Sequence, residues 1–187
     1  MSDTAVALPG LTTGVWTVDT SHSTVGFIAR HLVVAKTRGK FTEYTGSITV
    51  ADNILDSKVE ATVQLSSVHT GDENRDNHLR SGDFFDIENH PTMTFVSTSI
   101  VPDGDDYKLN GDLTIRGVTK PVTFDLEFEG VSPDPWGGTR AGFTAKTEVS
   151  RKEWGLEWNM ALETGGAVVG DKVKLELDIE AIAAQAG

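Results

Sequence analysis

A chain of 187 residues with 38% hydrophobic content suits one all-β domain and can build a core. Its 28 acidic residues outweigh 16 basic ones, for a net charge of −12, and so negative a surface repels phosphate backbones, which argues against nucleic-acid binding. It has no cysteine, which removes disulfides, thiolate chemistry and sulfur-based zinc sites.

Met1 to Thr13 is small, polar and punctuated by proline and glycine, which predicts a flexible arm (residues 1–13) ahead of one barrel domain (residues 14–187). Met1 to Gly14 shows neither a basic n-region nor an apolar run of signal-peptide length. No later stretch approaches membrane-spanning length. The expectation is a soluble cytoplasmic protein without stable membrane insertion.

A two-residue alternation then returns along the chain, each time describing a strand with one dry and one wet face. Trp16 and Val18 open it, and Val25, Phe27, Ala29 and His31 share a face in Ser23 to His31. Gly39 and Phe41 lead into a turn before Ile48 and Val50. Val59, Ala61, Val63 and Leu65 alternate with Glu60, Thr62 and Gln64. The pattern breaks between Thr70 and Ser81, where Thr70-x-x-Glu73 reads as a capping box and Gly82 as a stop, so one short helix is expected near residues 72–81. Phe84 and Phe85 follow, before the turn at His90-Pro91.

Strands resume over Met93 to Val101, turn at Asp103-Gly104, and continue from Tyr107 to Ile115. Gly117 marks a hairpin loop of intermediate length before Val122, Phe124, Leu126 and Phe128. Pro133, Pro135 and Gly137-Gly138 mark the next turn, and Ala141, Phe143, Ala145, Thr147 and Val149 the next inner face. Trp154 to Leu162 is irregular or briefly helical. Val173 to Ala181 closes the series.

Roughly eight or more strands in one domain describe an antiparallel barrel, with an open β-sandwich as the competing architecture. Inward positions mix Ala29, Ala61, Gly111, Ala141, Ala145 and Ala181 with Phe27, Phe124, Phe128 and Phe143. Small residues leave volume, but a tapered barrel can fill itself by alternating small and large side chains. Alternation establishes a dry interior and leaves open whether anything occupies it.

Several ordered motifs carry a family resemblance. They are Trp16-x-x-Asp19-x-x-His22-Ser23-x-Val25-x-Phe27, His31-Leu32, Gly39-Lys40-Phe41, the run from Asn74 to Phe85, Pro91-x-x-x-Phe95-x-Ser97, the run from Gly111 to Pro121, and Val169-Gly170-Asp171-x-Val173. In these the chain resembles the YceI family of isoprenoid-binding proteins, from Trp16 to Ala181. The resemblance implies a lipocalin-like barrel that holds a polyisoprenoid tail, such as that of an isoprenoid quinone or a polyprenyl phosphate, without catalysis. It also implies a homodimer, while the secretion signal of many members is not seen here. An enzyme acting on such a lipid and a packed barrel serving as an interaction module are the alternatives.

The resemblance makes Val25, Phe27, Ala29, Val63, Leu65, Phe95, Leu113, Phe124, Phe128 and Phe143 the candidate tunnel wall, together with Phe41; ordinary core is the plainer reading. Leu79, Phe84 and Phe85 form either a lid over one mouth or a structural cap held by Arg75, Asp76 and Asp83 in surface ion pairs. Thr20 to Thr42 holds no acid but does hold Arg30, Lys36, Arg38 and Lys40. Arg38 and Lys40 are therefore candidates for a diphosphate headgroup, against a solvated hairpin of accidental charge. His31, in phase with an inner face, can meet a quinone carbonyl. The histidines at 22, 31, 69, 78 and 90 show no metal-ligand spacing, so neither a metal nor a cofactor is expected beyond the lipid itself. Trp154 and Trp158 form either a helical pair on the barrel or part of its rim.

Overall fold

The computed structural model describes residues 5–32, 35–159 and 169–184. The alternating segments form antiparallel strands β1 (Gly14–Val18), β2 (Thr24–His31), β3 (Ala35–Phe41), β4 (Tyr44–Val50), β5 (Lys58–Gln64), β6 (Val68–His69), β7 (Thr92–Asp103), β8 (Asp106–Ile115), β9 (Val118–Pro133), β10 (Thr139–Ser150) and β11 (Val169–Ala183). One α-helix, α1 (Glu73–Arg80), lies between β6 and β7.

Six of the strands combine into three broken staves. β1 and β2 both pair with β11; β4 pairs with β1 while β3 pairs with β2; β5 pairs with β4 while β6 pairs with β3. With β7 to β11 this makes eight staves, and the β1–β11 pairing closes them into a barrel, which decides against a sandwich. The breaks fall at Thr20–His22, at Thr42-Glu43 and at Leu65–Ser67, and the first and last of these are 3-10 turns.

Local chemistry differs from the sequence reading at three points. The helix is capped by Asp72, whose side chain accepts from the Arg75 N–H at 3.1 Å, while the Thr70 hydroxyl donates instead to Asp76 at 2.5 Å. Its stop is Ser81, whose backbone N–H and hydroxyl both reach the His78 carbonyl. The loop at Gly117 is not intermediate but a two-residue turn: Arg116 and Gly117 have φ of 53° and 73°, the double left-handed geometry that suits a twisted hairpin.

Closure is made where the first stave meets the last. Trp16 is 1% exposed and packs with Ala141 and Ala181, so two of the inward alanines make room for an indole. Glycine does the same elsewhere. A Cβ on Gly39 would lie 2.2 Å from the Phe27 ring, and one on Gly111 2.3 Å from that of Phe95.

Beside this seam, Arg140 of β10 donates to Asp19 (2.5 Å), Asp134 (3.1 Å) and Glu180 (3.1 Å), joining the break in the first stave to β11 and to the β9–β10 turn. Arg140, then Ser21 and His22, hold the Asp19 carboxyl far below the usual carboxylate range. A depressed folded pKa gives stability above the unfolded carboxylate value, about 3.9, that is lost as pH falls below it. Arg140→Gln should therefore lower the urea midpoint at pH 7, and the gap from wild type should narrow below about pH 4. A gap that stays constant from neutral to strongly acidic pH would contradict this role.

Candidate functional site

The two ends of the barrel are built differently. At the end that carries α1 the interior is filled. Phe84 is buried against Trp154, Leu156, Leu113 and Ile115, with Leu79, Phe85 and Trp158 packed on that cluster. The Trp154 indole N–H donates to the Leu113 carbonyl at 2.9 Å, and Arg116 donates to the Phe84 carbonyl at 3.0 Å. Buried Arg151 donates to the carbonyls of Leu156, Trp158, Val169 and Gly170, tying the segment after β10 to the start of β11. Four carbonyls offset the cost of burying that guanidinium.

Below this plug lies a cavity. Space open to the centres of water molecules amounts to about 190 Å³, and all space free of atoms, open solvent included, to about 1450 Å³. One water needs only about 10–15 Å³ by the first measure, so the interior is hollow and a fully packed barrel does not describe it. Its wall is almost wholly carbon, with side chains such as Val63, Met93, Phe95, Leu109, Phe124 and Leu177. No His, Lys, Arg or Asp lines it among the described residues; its one charged lining residue is Glu60.

The structure brings together eight of the candidate wall residues. Val25, Phe41, Val63, Phe95, Leu113, Phe124, Phe128 and Phe143 all line the cavity. Phe27 instead spends its ring over Gly39 and against Phe41. Leu65 is wholly buried in a satellite core with Phe41, Tyr44, Val63 and Val68. Ala29 pairs with Val173 and Thr37, and His31 is exposed at the far end of β2; neither lines the cavity.

Leu79, Phe84 and Phe85 stand in the helix-end plug, packed behind wall residues such as Phe41 and Leu113 without lining the cavity themselves. Arg75, expected in a surface ion pair, donates instead to the Thr70 hydroxyl and carbonyl; Asp76 is buried under Thr70, and Asp83 meets His78 at 2.8 Å. Trp154 is buried in the barrel while Trp158 packs on His78 and Phe84, so the two do not form one helical stripe; residues 160–162 lie outside the described residues.

Arg38 and Lys40 are exposed and alternate with Gly39 and Phe41, which places both on the outer face of β3. A phosphate there would be outside the cavity. Among the described residues no group of three or more His, Asp or Glu is arranged to hold a metal ion, and no helix is long and apolar enough to cross a membrane.

Two contributors escaped the sequence reading. Residues 5–13 do not hang free: the Val6 N–H donates to the Asn53 side chain, the Val6 carbonyl accepts from the Ile54 N–H, the Trp16 indole N–H donates to the Thr12 carbonyl, and Leu8 and Leu11 line the cavity. Their only sequence signal is a pair of leucines three apart in a polar stretch. Tyr44 is the second, an inward residue in phase with Gly46, Ile48 and Val50.

The YceI-like domain model matches residues 16–181. The chain belongs to the YceI-like family. A UPF0312 protein of Staphylococcus aureus (strain USA300) is 40% identical over 169 residues, covering 88% of this chain and 95% of the relative. Among solved structures, BcnA of Burkholderia cenocepacia has a TM-score of 0.75 at 21% identity, covering 87% of this chain and 98% of BcnA. A polyisoprenoid binding domain from Saccharophagus degradans has a TM-score of 0.70 at 17% identity, covering 90% and 98%. At those identities the two structures establish the YceI-like barrel fold.

Leu8 and Leu11 are half-buried, so replacing both with serine removes about 2 kcal/mol of apolar contact from that wall. A neutral fluorescent probe such as N-phenyl-1-naphthylamine should leave the double variant about tenfold faster in a stopped-flow release measurement. An unchanged release rate would mean that the segment takes no part in access.

Proposed function

We propose that this protein binds one long isoprenoid lipid in the barrel cavity and carries or stores it, without acting on it chemically. The observation that carries this reading is a dry, carbon-lined space that the chain's own side chains leave unfilled, in a barrel that they fill densely at the other end. The name of the Saccharophagus neighbour, a polyisoprenoid binding domain, supports the same ligand class. Among the described residues the wall holds no histidine, lysine, arginine or aspartate and one glutamate, Glu60, which offers little for nucleophilic or acid–base work and favours binding over catalysis.

Burying one CH₂ is worth about 0.8 kcal/mol, so each five-carbon unit contributes roughly 3–4 kcal/mol gross. Several units, naively summed, pass the practical affinity ceiling of about −18 to −21 kcal/mol, so ordering costs must offset much of the gain. Apolar burial has no direction, and discrimination between tail lengths is therefore weak. The proposal keeps the cytoplasmic location expected from the sequence and the homodimer implied by the family resemblance. Cell fractionation and the mass of the native particle check both.

Native mass spectrometry of freshly purified protein, followed by lipid extraction, should find a prenyl lipid bound to wild type. Ala61, half-buried in the cavity wall, is the place for a blocking residue. Ala61→Phe should cut the bound lipid at least about tenfold while costing about 1–3 kcal/mol of stability by overpacking. Wild-type protein that is empty and ignores added prenyl lipids, or one that turns them over, would defeat the proposal.

A further inference from the structure

Tyr44 opens β4 directly after the break at Thr42-Glu43 and stands in the cavity wall. It is 9% exposed, and its hydroxyl is buried without a hydrogen-bond partner; among the described residues it is the one buried side-chain polar atom left so. Folded proteins rarely leave such a group unpaired, because its lost hydration is not replaced. A water molecule is a poor substitute, since it needs two to four polar partners and the surrounding wall is almost wholly carbon. Burial, with the Asp19 carboxylate acting in the same direction, pushes the Tyr44 pKa up, so the hydroxyl stays protonated at neutral pH. It is available to donate, and because it has almost no accessible surface of its own, a ligand oxygen reaches it as the neighbouring side chains shift.

The charges around the cavity limit what it donates to. Among the described residues no lysine or arginine lines the wall, and the basic residues Arg38 and Lys40 lie on the outer face of β3. A phosphate or diphosphate drawn inside would be buried without a counter-charge, and the nearby Asp19 carboxylate would oppose it. A neutral oxygen, such as a prenol hydroxyl or a quinone carbonyl, carries no such penalty and accepts a hydrogen bond.

Resting on the lipid-binding reading above, we propose that the Tyr44 hydroxyl is the headgroup contact of the cavity, donating to a neutral oxygen of the bound isoprenoid, and that the protein selects neutral over phosphorylated prenyl lipids. The tail then lies along the carbon wall toward Leu8, Leu11 and Ile54.

The test uses delipidated protein and three ligands with one tail: geranylgeraniol, geranylgeranyl diphosphate and the matching hydrocarbon. Wild type should bind the alcohol more tightly than the diphosphate. Tyr44→Phe should weaken the alcohol about 3- to 10-fold and leave the hydrocarbon unchanged, since one hydrogen bond is lost and the ring is kept. Without ligand, the variant should melt no lower than wild type and up to about 2–4 °C higher, because it removes an unpaired buried hydroxyl.

Equal losses for alcohol and hydrocarbon, or a diphosphate bound as tightly as the alcohol, would overturn the headgroup assignment and leave lipid binding intact. A ligand-free variant that melts lower would show that the hydroxyl is partnered within the protein, with the same consequence. Failure of all three ligands to bind wild type would instead remove the lipid-binding reading, and this inference with it.

Discussion

Trp16 joins the first stave to the last, and the hollow interior depends on that seam. An eight-stave sheet that stayed open would present two unpaired edges and could enclose nothing. Here the β1–β11 pairing brings the indole over Ala141 and Ala181, all three essentially buried, and the indole N–H is satisfied by the Thr12 carbonyl. Closure therefore draws on a large apolar body matched to two small residues, with a polar handle turned toward the N-terminal segment. Arg140 then cross-links the same seam on its polar side, through carboxylates from the break at Asp19, from β11 and from the β9–β10 turn. Each half of the seam protects the other: the apolar half excludes water, and the ionic half holds the broken stave in register.

With closure secured, the barrel is free to be unequal along its length. At the α1 end, aromatic rings pack around Phe84 and Trp154, and the loops there are bound by side-chain hydrogen bonds to backbone carbonyls, those of Arg151 among them. Toward the other end, the cavity wall is made by branched and aromatic side chains that stop short of one another. Close packing is the normal state of a protein interior, so a void beside so dense a plug is a property of the sequence and not of a poorly formed core. Empty apolar cavities stay dry, and a dry cavity gains most from a guest of the same polarity.

The period of two placed the strands because each has one wet face, and a slip of one residue would have turned every side chain over. Val25 and Phe143, among the cavity-lining residues, were legible as inward for that reason, while it was the family resemblance that marked them as a wall. Less legible was what a small inward residue is for. Gly111 and Ala141 read as vacated space, yet the first lies under Phe95 and the second beside Trp16. Periodicity gives the side of a residue and says nothing of which ring crosses from a stave distant in sequence. Leu8 and Leu11 stood outside any strand pattern, and Leu79, Phe84 and Phe85 gave no sign of which barrel end they would fill. The breaks in the first three staves also escaped notice, since a kinked strand and two short strands share one alternation.

Polarity in this molecule is segregated by depth. The surplus of acids lies on wet faces and keeps the surface strongly negative, while the basic run of β3 decorates the exterior. A ligand whose charge had to be met inside would find no partner, because the inward positions near the cavity went to carbon. Hydroxyl-bearing residues depart from that rule, among them Tyr107 of β8 and Tyr44 at the head of β4, where the stave breaks and the wall turns. A wall of carbon gives affinity without direction, and a single fixed donor gives direction at little cost in affinity. In the proposed binding mode, such a division of labour lets the site tolerate many tails while holding each in one orientation.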